Sequence, residues 1–114
     1  MLLNASLIVT IVPKGWGNTV LQASVTAGAR GGTVLYGRGI GVNEHEKIFG
    51  IAIEPEKEIV LTVVYSDKAD AILQEIMRAA ELTEPSRGLA FVVALDKVVG
   101  VSHLRNEQSP DQSS

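Results

Sequence analysis

Gly37, Gly39 and Gly41, at alternate positions around Arg38, are the residues of this chain whose types and spacing most readily suggest chemistry. A strand that leaves through such glycines can bare backbone N–H groups to an anion, because glycine lets a phosphate approach the main chain and tolerates positive φ. Arg38 adds fixed positive charge. The stretch opens at Ala29-Arg30-Gly31-Gly32, where glycines end a helix, and Thr33-Val34-Leu35-Tyr36 reads as a short β-branched and aromatic strand. On spacing alone a bulge and a turn are the preferred, plainer reading. A dinucleotide fingerprint fails, because the third glycine position after Gly37 and Gly39 holds Val42 and no helix pattern follows.

Other chemistry-bearing residues are fewer. His45 sits between Glu44 and Glu46, but adjacent residues seldom converge on one ion, so a solvated loop is preferred to a metal site. His103 reads first as a surface histidine and second as a ligand contact. Trp16, in Lys14-Gly15-Trp16-Gly17, reads as a packing residue at a helix start before it reads as a subunit contact. The sequence offers no nucleophile paired with a base, no paired carboxylates outside solvated segments and no metal cluster, which counts against catalysis. The rival readings of a different class are a small oligomeric enzyme and a purely structural trimer.

The elements that must carry these residues follow from length and pattern. At 114 residues the chain is one domain, long enough to bury about 65% of the surface its unfolded form exposes. A net charge of −3 with both signs scattered leaves no basic footprint for nucleic acid or an anionic membrane. Cysteine is absent, which excludes disulfides and thiolate chemistry and accords with a cytoplasmic protein. The apolar start, Met1 to Val12, is cut by Pro13-Lys14-Gly15 before it could span a bilayer.

Leu7 to Val12 is apolar and β-branched and reads as a first strand; Val20, Ala23 and Ala27 recur at helical spacing until Gly28, a C′ residue. Thr33 to Tyr36 is then a second strand, parallel to the first through the helical crossover. From Val42 to Glu56 the pattern dissolves into a long loop, the expected moving part, with an apolar island at Ile48, Phe49, Ile51 and Ile53 that could dock a partner or fold back on the sheet. Glu58 to Tyr65 is a third strand, with Ile59, Leu61 and Val63 on one face and Val60, Thr62 and Val64 on the other. Ser66 and Asp67 can cap the next helix, Asp70 suits its first turn, and Ala69, Ile72, Leu73, Ile76 and Ala80 form its apolar stripe. After the loop Thr83 to Gly88 comes a fourth strand, Leu89 to Leu95; Lys97 to Arg105 is a last strand or an extended arm, and residues 106–114 form a polar tail expected to be disordered. The order βαββαβ gives an α+β, ferredoxin-like sandwich. Three strands are apolar on both faces while two helices can cover only one, so the sequence predicts a homo-oligomer.

At this point the chain resembles the PII signal-transduction superfamily, over about Leu7 to Val101, with residues 1–105 as the folded domain. Gly31-Gly32-Thr33-Val34 leading to Arg38-Gly39-Ile40-Gly41 is similar to the family's strand and its basic-Gly-aromatic-Gly exit into the T-loop. Lys57-Glu58-Ile59-Val60-Leu61 is similar to the lysine-led strand on which that loop returns, and Ser86-Arg87-Gly88-Leu89-Ala90-Phe91-Val92 stands in the place of the nucleotide-binding B-loop. The resemblance implies a homotrimer that binds ATP or ADP in clefts between subunits, and a T-loop that docks on a target enzyme or transporter, in nitrogen regulation. The departures are specific. Val42 and Asn43 stand where the family has arginine and glutamine, so the glutamine's contacts to Mg-ATP and 2-oxoglutarate lack their residue here. Ser86-Arg87-Gly88-Leu89 replaces Gly-Asp-Gly-Lys, Gly100 and Ser102 replace a C-terminal arginine pair, and the shortened loop has no tyrosine to uridylylate. Effector contacts are therefore expected at Thr33, Arg38, Gly39, Gly41, Arg87, Gly88, His103 and Arg105, for an anionic metabolite with an adenine nucleotide among the candidates. Asn43, Glu44, His45 and Phe49 are expected to face the partner protein.

Overall fold

The structure, a computed structural model, describes residues 4–40, 47–48, 51–52 and 55–100. Strand β1 (Ala5–Pro13), helix α1 (Gly17–Thr26), strand β2 (Thr33–Arg38), the short strands β3 (Lys47–Ile48) and β4 (Ile51–Ala52), strand β5 (Glu56–Tyr65), helix α2 (Ser66–Ala79) and strand β6 (Leu89–Leu95) follow one another along the chain. The main sheet has the order β2-β5-β1-β6 and is antiparallel at every pairing. Because β1 and β2 both run against β5, they are parallel to each other, as the helical crossover requires, with β5 inserted between them. β3 and β4 pair separately as a small antiparallel hairpin inside the stretch the sequence reads as loop.

Both helices lie on one face. In β1 the side chains of Ser6, Ile8, Thr10 and Val12 are buried, and in β5 those of Glu58, Val60, Thr62 and Val64, while the alternate residues Leu7, Val9, Ile11, Ile59, Leu61 and Val63 are only half-buried; Ala5, Lys57 and Tyr65, towards the strand ends, are buried as well. The two-residue period of a strand thus sorts each strand into a helix side and an open side. Under the helices, Ile8, Val12, Val20, Val60, Ile72 and Ile76 form the core with Ala69 and Ala80; fully burying an aliphatic side chain of this size contributes about 1.5–3 kcal/mol.

The two helices end in the same way. After α1 the N–H of Ala29 donates to Ser24 and that of Gly28 to Val25, and Gly28 takes φ 121°. After α2 the N–H of Leu82 donates to Met77 and that of Glu81 to Arg78, and here Glu81 takes φ 57°. Both are Schellman closures, with a glycine in the left-handed position at one and a residue that is strained there at the other.

The start of α2 differs from expectation. Its N-cap is Tyr65, with no side-chain cap, and the acidic residue of the first turn is Asp67 rather than Asp70. The Ser66 hydroxyl bonds instead to that of Ser6 on β1 at 2.8 Å, and the Ser66 N–H donates to the Asn4 carbonyl, so the strand ends take the place of a local cap.

Candidate functional site

The chain leaves the edge strand β2 through Gly37 and Arg38, which lie opposite Lys57 and Glu56 of β5. The N–H of Gly39 then donates to the Pro55 carbonyl at 3.2 Å, tying together the two ends of the intervening segment. Neither Gly37 nor Gly39 takes positive φ, so the freedom that glycine has there is not used; what Gly39 supplies is open space, with no atom within 4 Å of where its Cβ would stand. Beside this exit lies an open cleft of about 460 Å³, lined by Lys14, Tyr36, Gly37, Arg38, Glu56 and Lys57. Tyr36 is 76% exposed at its rim. Lys14 Nζ pairs with Glu56 Oε2 at 2.6 Å; this bond raises the Lys14 pKa and lowers that of Glu56, to which Arg38 adds a weaker pull. Three cationic side chains against one carboxylate leave the cleft net positive.

The second group stands at the start of β6. Arg87 is flanked by Ser86 at φ 63° and Gly88 at φ 119°. A Cβ on Gly88 would lie 2.1 Å from the Ile11 carbonyl oxygen, so only glycine fits where this turn meets β1. The Arg87 guanidinium lies over the Trp16 ring, its carbon 3.8 Å from the ring centroid, and Nη2 is 3.8 Å from Glu81 Oε2. Its Nε and Nη2 are buried and donate no hydrogen bond to the described residues.

Between these groups lies a residue whose role spacing does not reveal. Glu58, buried on the helix side of β5, sends its carboxylate to the turn before α1, where Oε2 accepts from the Gly15 N–H at 2.9 Å and Oε1 from the Gly17 N–H at 2.8 Å. It acts as the N-terminal cap that Trp16, the N-cap residue, lacks in its own side chain. Gly17 is required for this, since a Cβ there would meet Oε1 at 2.2 Å. The available signal was the charge that breaks an otherwise apolar series, Glu58 ahead of Val60 and Val64, facing a Gly-Trp-Gly turn.

Of the expected site residues, Arg38 and Gly39 share one corner and Arg87 and Gly88 another, while exposed Thr33 sits farther along β2. The register row Leu35, Ile59, Ile11, Leu89 sets both corners at the same end of the sheet, but on its opposite edges. Three interstrand steps separate them, about 14 Å. One copy of the chain therefore does not bring the two halves together. Gly41, His103, Arg105 and the partner-loop residues Asn43, Glu44, His45 and Phe49 lie outside the described residues, as does the tail 106–114. Among the described residues no group of three potential metal ligands converges, and no helix is long and apolar enough to cross a membrane.

The split βαββαβ order, with a four-stranded antiparallel sheet under two helices, defines the chain as an α+β, ferredoxin-like fold. The sequence profile of the family described as "Nitrogen regulatory protein P-II" matches residues 5–105, and the chain belongs to that family. Among solved structures, the fold matches that of Arabidopsis thaliana PII bound to citrate, with a TM-score of 0.69 and 24% identity over 90% of this chain and 87% of the other. No curated protein sequence matches the chain at a significant level.

Proposed function

We propose that the protein is a PII-like regulator that assembles as a homotrimer, binds an anionic small-molecule effector in the clefts between subunits, and signals through the segment 42–56 to a partner protein. The observation that carries this reading is the division of the site: Arg38 and Gly39 on the β2 edge, Arg87 and Gly88 on the β6 edge of the same sheet. Placing the β2 edge of one copy beside the β6 edge of the next would join the halves into one basic cleft. The open face of the sheet supports the same assembly. Leu35, Leu89, Phe91 and Val93 are 44%, 52%, 43% and 41% exposed, and they continue into Leu7, Val9, Ile11, Ile59, Leu61 and Val63 of the two central strands. An apolar surface this continuous is unusual on a monomer and is what a second copy covers.

Arginine suits a phosphate or carboxylate through its paired donors, so an adenine nucleotide and a polycarboxylate both fit the chemistry. The similarity to a PII protein with citrate bound makes citrate one of the anions to try. Members of this family regulate other proteins, so turnover is not expected, and a target enzyme or transporter in nitrogen regulation is the partner that membership suggests. The test is a mass measurement in solution followed by calorimetry with ATP, ADP, AMP, cyclic AMP and citrate. A particle of three chains that binds at least one of these, with segment 42–56 changing its protease sensitivity on binding, supports the reading. A well-folded single chain, or no heat with any of them, overturns it.

A further inference from the structure

We propose that Trp16, clamped in place by Glu58, is a positioning residue that holds the Arg87 guanidinium ready for the anionic effector. This rests on the effector reading above and adds to it a residue that does not itself touch the ligand. The guanidinium plane is covered on one side by the Trp16 ring at 3.8 Å, a separation at which cation–π and stacking attraction are near their strongest. Its Nε and Nη2 edge is withdrawn from solvent towards Glu81, at a distance that supplies charge but no hydrogen bond. The side chain is 25% exposed, so part of it remains open to a ligand.

The backbone is held as firmly as the side chain. Left-handed Ser86 and Gly88 bracket Arg87, and Gly88 is pressed against Ile11 and Val12 of β1. A third left-handed residue, Glu81, places the carboxylate. Strained backbone at the two non-glycine positions, Glu81 and Ser86, persists only where the surroundings over-determine it. The other partner is fixed equally well, because the Glu58 carboxylate bonds the amides on both sides of Trp16, those of Gly15 and Gly17. An arginine held in one rotamer gives up less freedom on binding than a free one, so Trp16 and Glu58 contribute affinity through Arg87. Glu58 also lies near the start of β5, the strand on which segment 42–56 returns, and opposite Tyr36 of β2. The chain β5, Glu58, Trp16, Arg87 therefore ties the loop-bearing edge of one copy to the anion-facing corner at its other edge.

The full-length protein, its W16F, W16L and R87K variants and the W16L/R87K double variant are titrated with ADP, citrate and inorganic phosphate, and the Arg87 Nε–H resonance is followed by NMR without ligand. In the wild type that resonance should be shifted strongly upfield by the Trp16 ring current. W16L should weaken the tightest probe by about tenfold, the size a desolvated cation–π contact supports. W16F should stay within about threefold, because a ring is retained, and the double variant should bind no more weakly than R87K alone. An unshifted Arg87 resonance in the wild type, or W16L binding as tightly as wild type, overturns the proposal, and the resonance needs no variant to fold. If the wild type binds none of the probes, the effector reading and the ligand role of Arg87 fall together, while the resonance still decides whether Trp16 holds the arginine.

Discussion

On the helix side of the sheet, Ile8, Val12 and Val60 are sealed from solvent, whereas on the other side Leu35, Phe91 and Leu89 stand open, although both sides carry large apolar side chains. The difference lies in what the chain itself can put over each face. Two helices cover one face; on the other, Ala5 and Tyr65 are buried at one end in a small cluster with Val63, Leu95 and Val98, and the rest stands open among the described residues. The covered face therefore carries the stability of the subunit, and the open face is available for assembly. The covered face also holds buried Ser6, Thr10 and Thr62 and one charge, Glu58, which serves the turn beneath Trp16.

Substitutions on the two faces should separate these roles. The largest loss of subunit stability is expected from Ile76→Ala, at a fully buried position of α2: about 3–4 kcal/mol in denaturant unfolding, from lost burial and the cavity left behind. Glu58→Gln comes next, at about 1–3 kcal/mol, since the amide can accept at only one of the two N–H groups that the carboxylate serves. Phe91→Glu on the open face should cost the isolated subunit less than about 1 kcal/mol, yet lower the particle mass in ultracentrifugation to that of one chain. A large loss of subunit stability from Phe91→Glu with the particle mass unchanged would break the comparison.

The smallest effect belongs to the exposed pair Lys14 and Glu56. The carboxyl pKa is lowered by the pair, so its contribution is present above the ordinary carboxylate range and is lost as pH falls through the depressed value. The amine pKa is raised, so its contribution is present below its ordinary value and is lost as pH rises through the elevated one. Both side chains are solvated, and unfolding midpoints of wild type and Glu56→Gln at neutral pH should converge at high salt.

Element order, strand faces and the apolar stripe of α2 were legible in the sequence because each is a local periodicity. Val60, Thr62 and Val64 fall on the buried side and Ile59, Leu61 and Val63 on the other, as alternation requires, and Gly28 closes α1 as its lack of a side chain suggests. The expected caps of α2 failed for a physical reason: Ser66 and Asp67 have capping side chains, but the hydroxyl of Ser66 found a nearer partner in Ser6, sixty positions away in the chain. Positive φ, which spacing cannot assign to one glycine over another, is absent at Gly37 and Gly39 and present at Gly88, where contact with β1 admits only glycine.

The order of residue types by itself determined that this chain forms a sheet beneath two helices with more apolar surface than those helices can cover, because side-chain period and hydropathy are properties of neighbours along the chain. Only the tertiary structure decided that Glu58 reaches the amides of Gly15 and Gly17, that Trp16 stacks on Arg87, and that the two basic corners lie on opposite edges. Those facts depend on strand order and register, which bring together residues that sequence distance keeps apart.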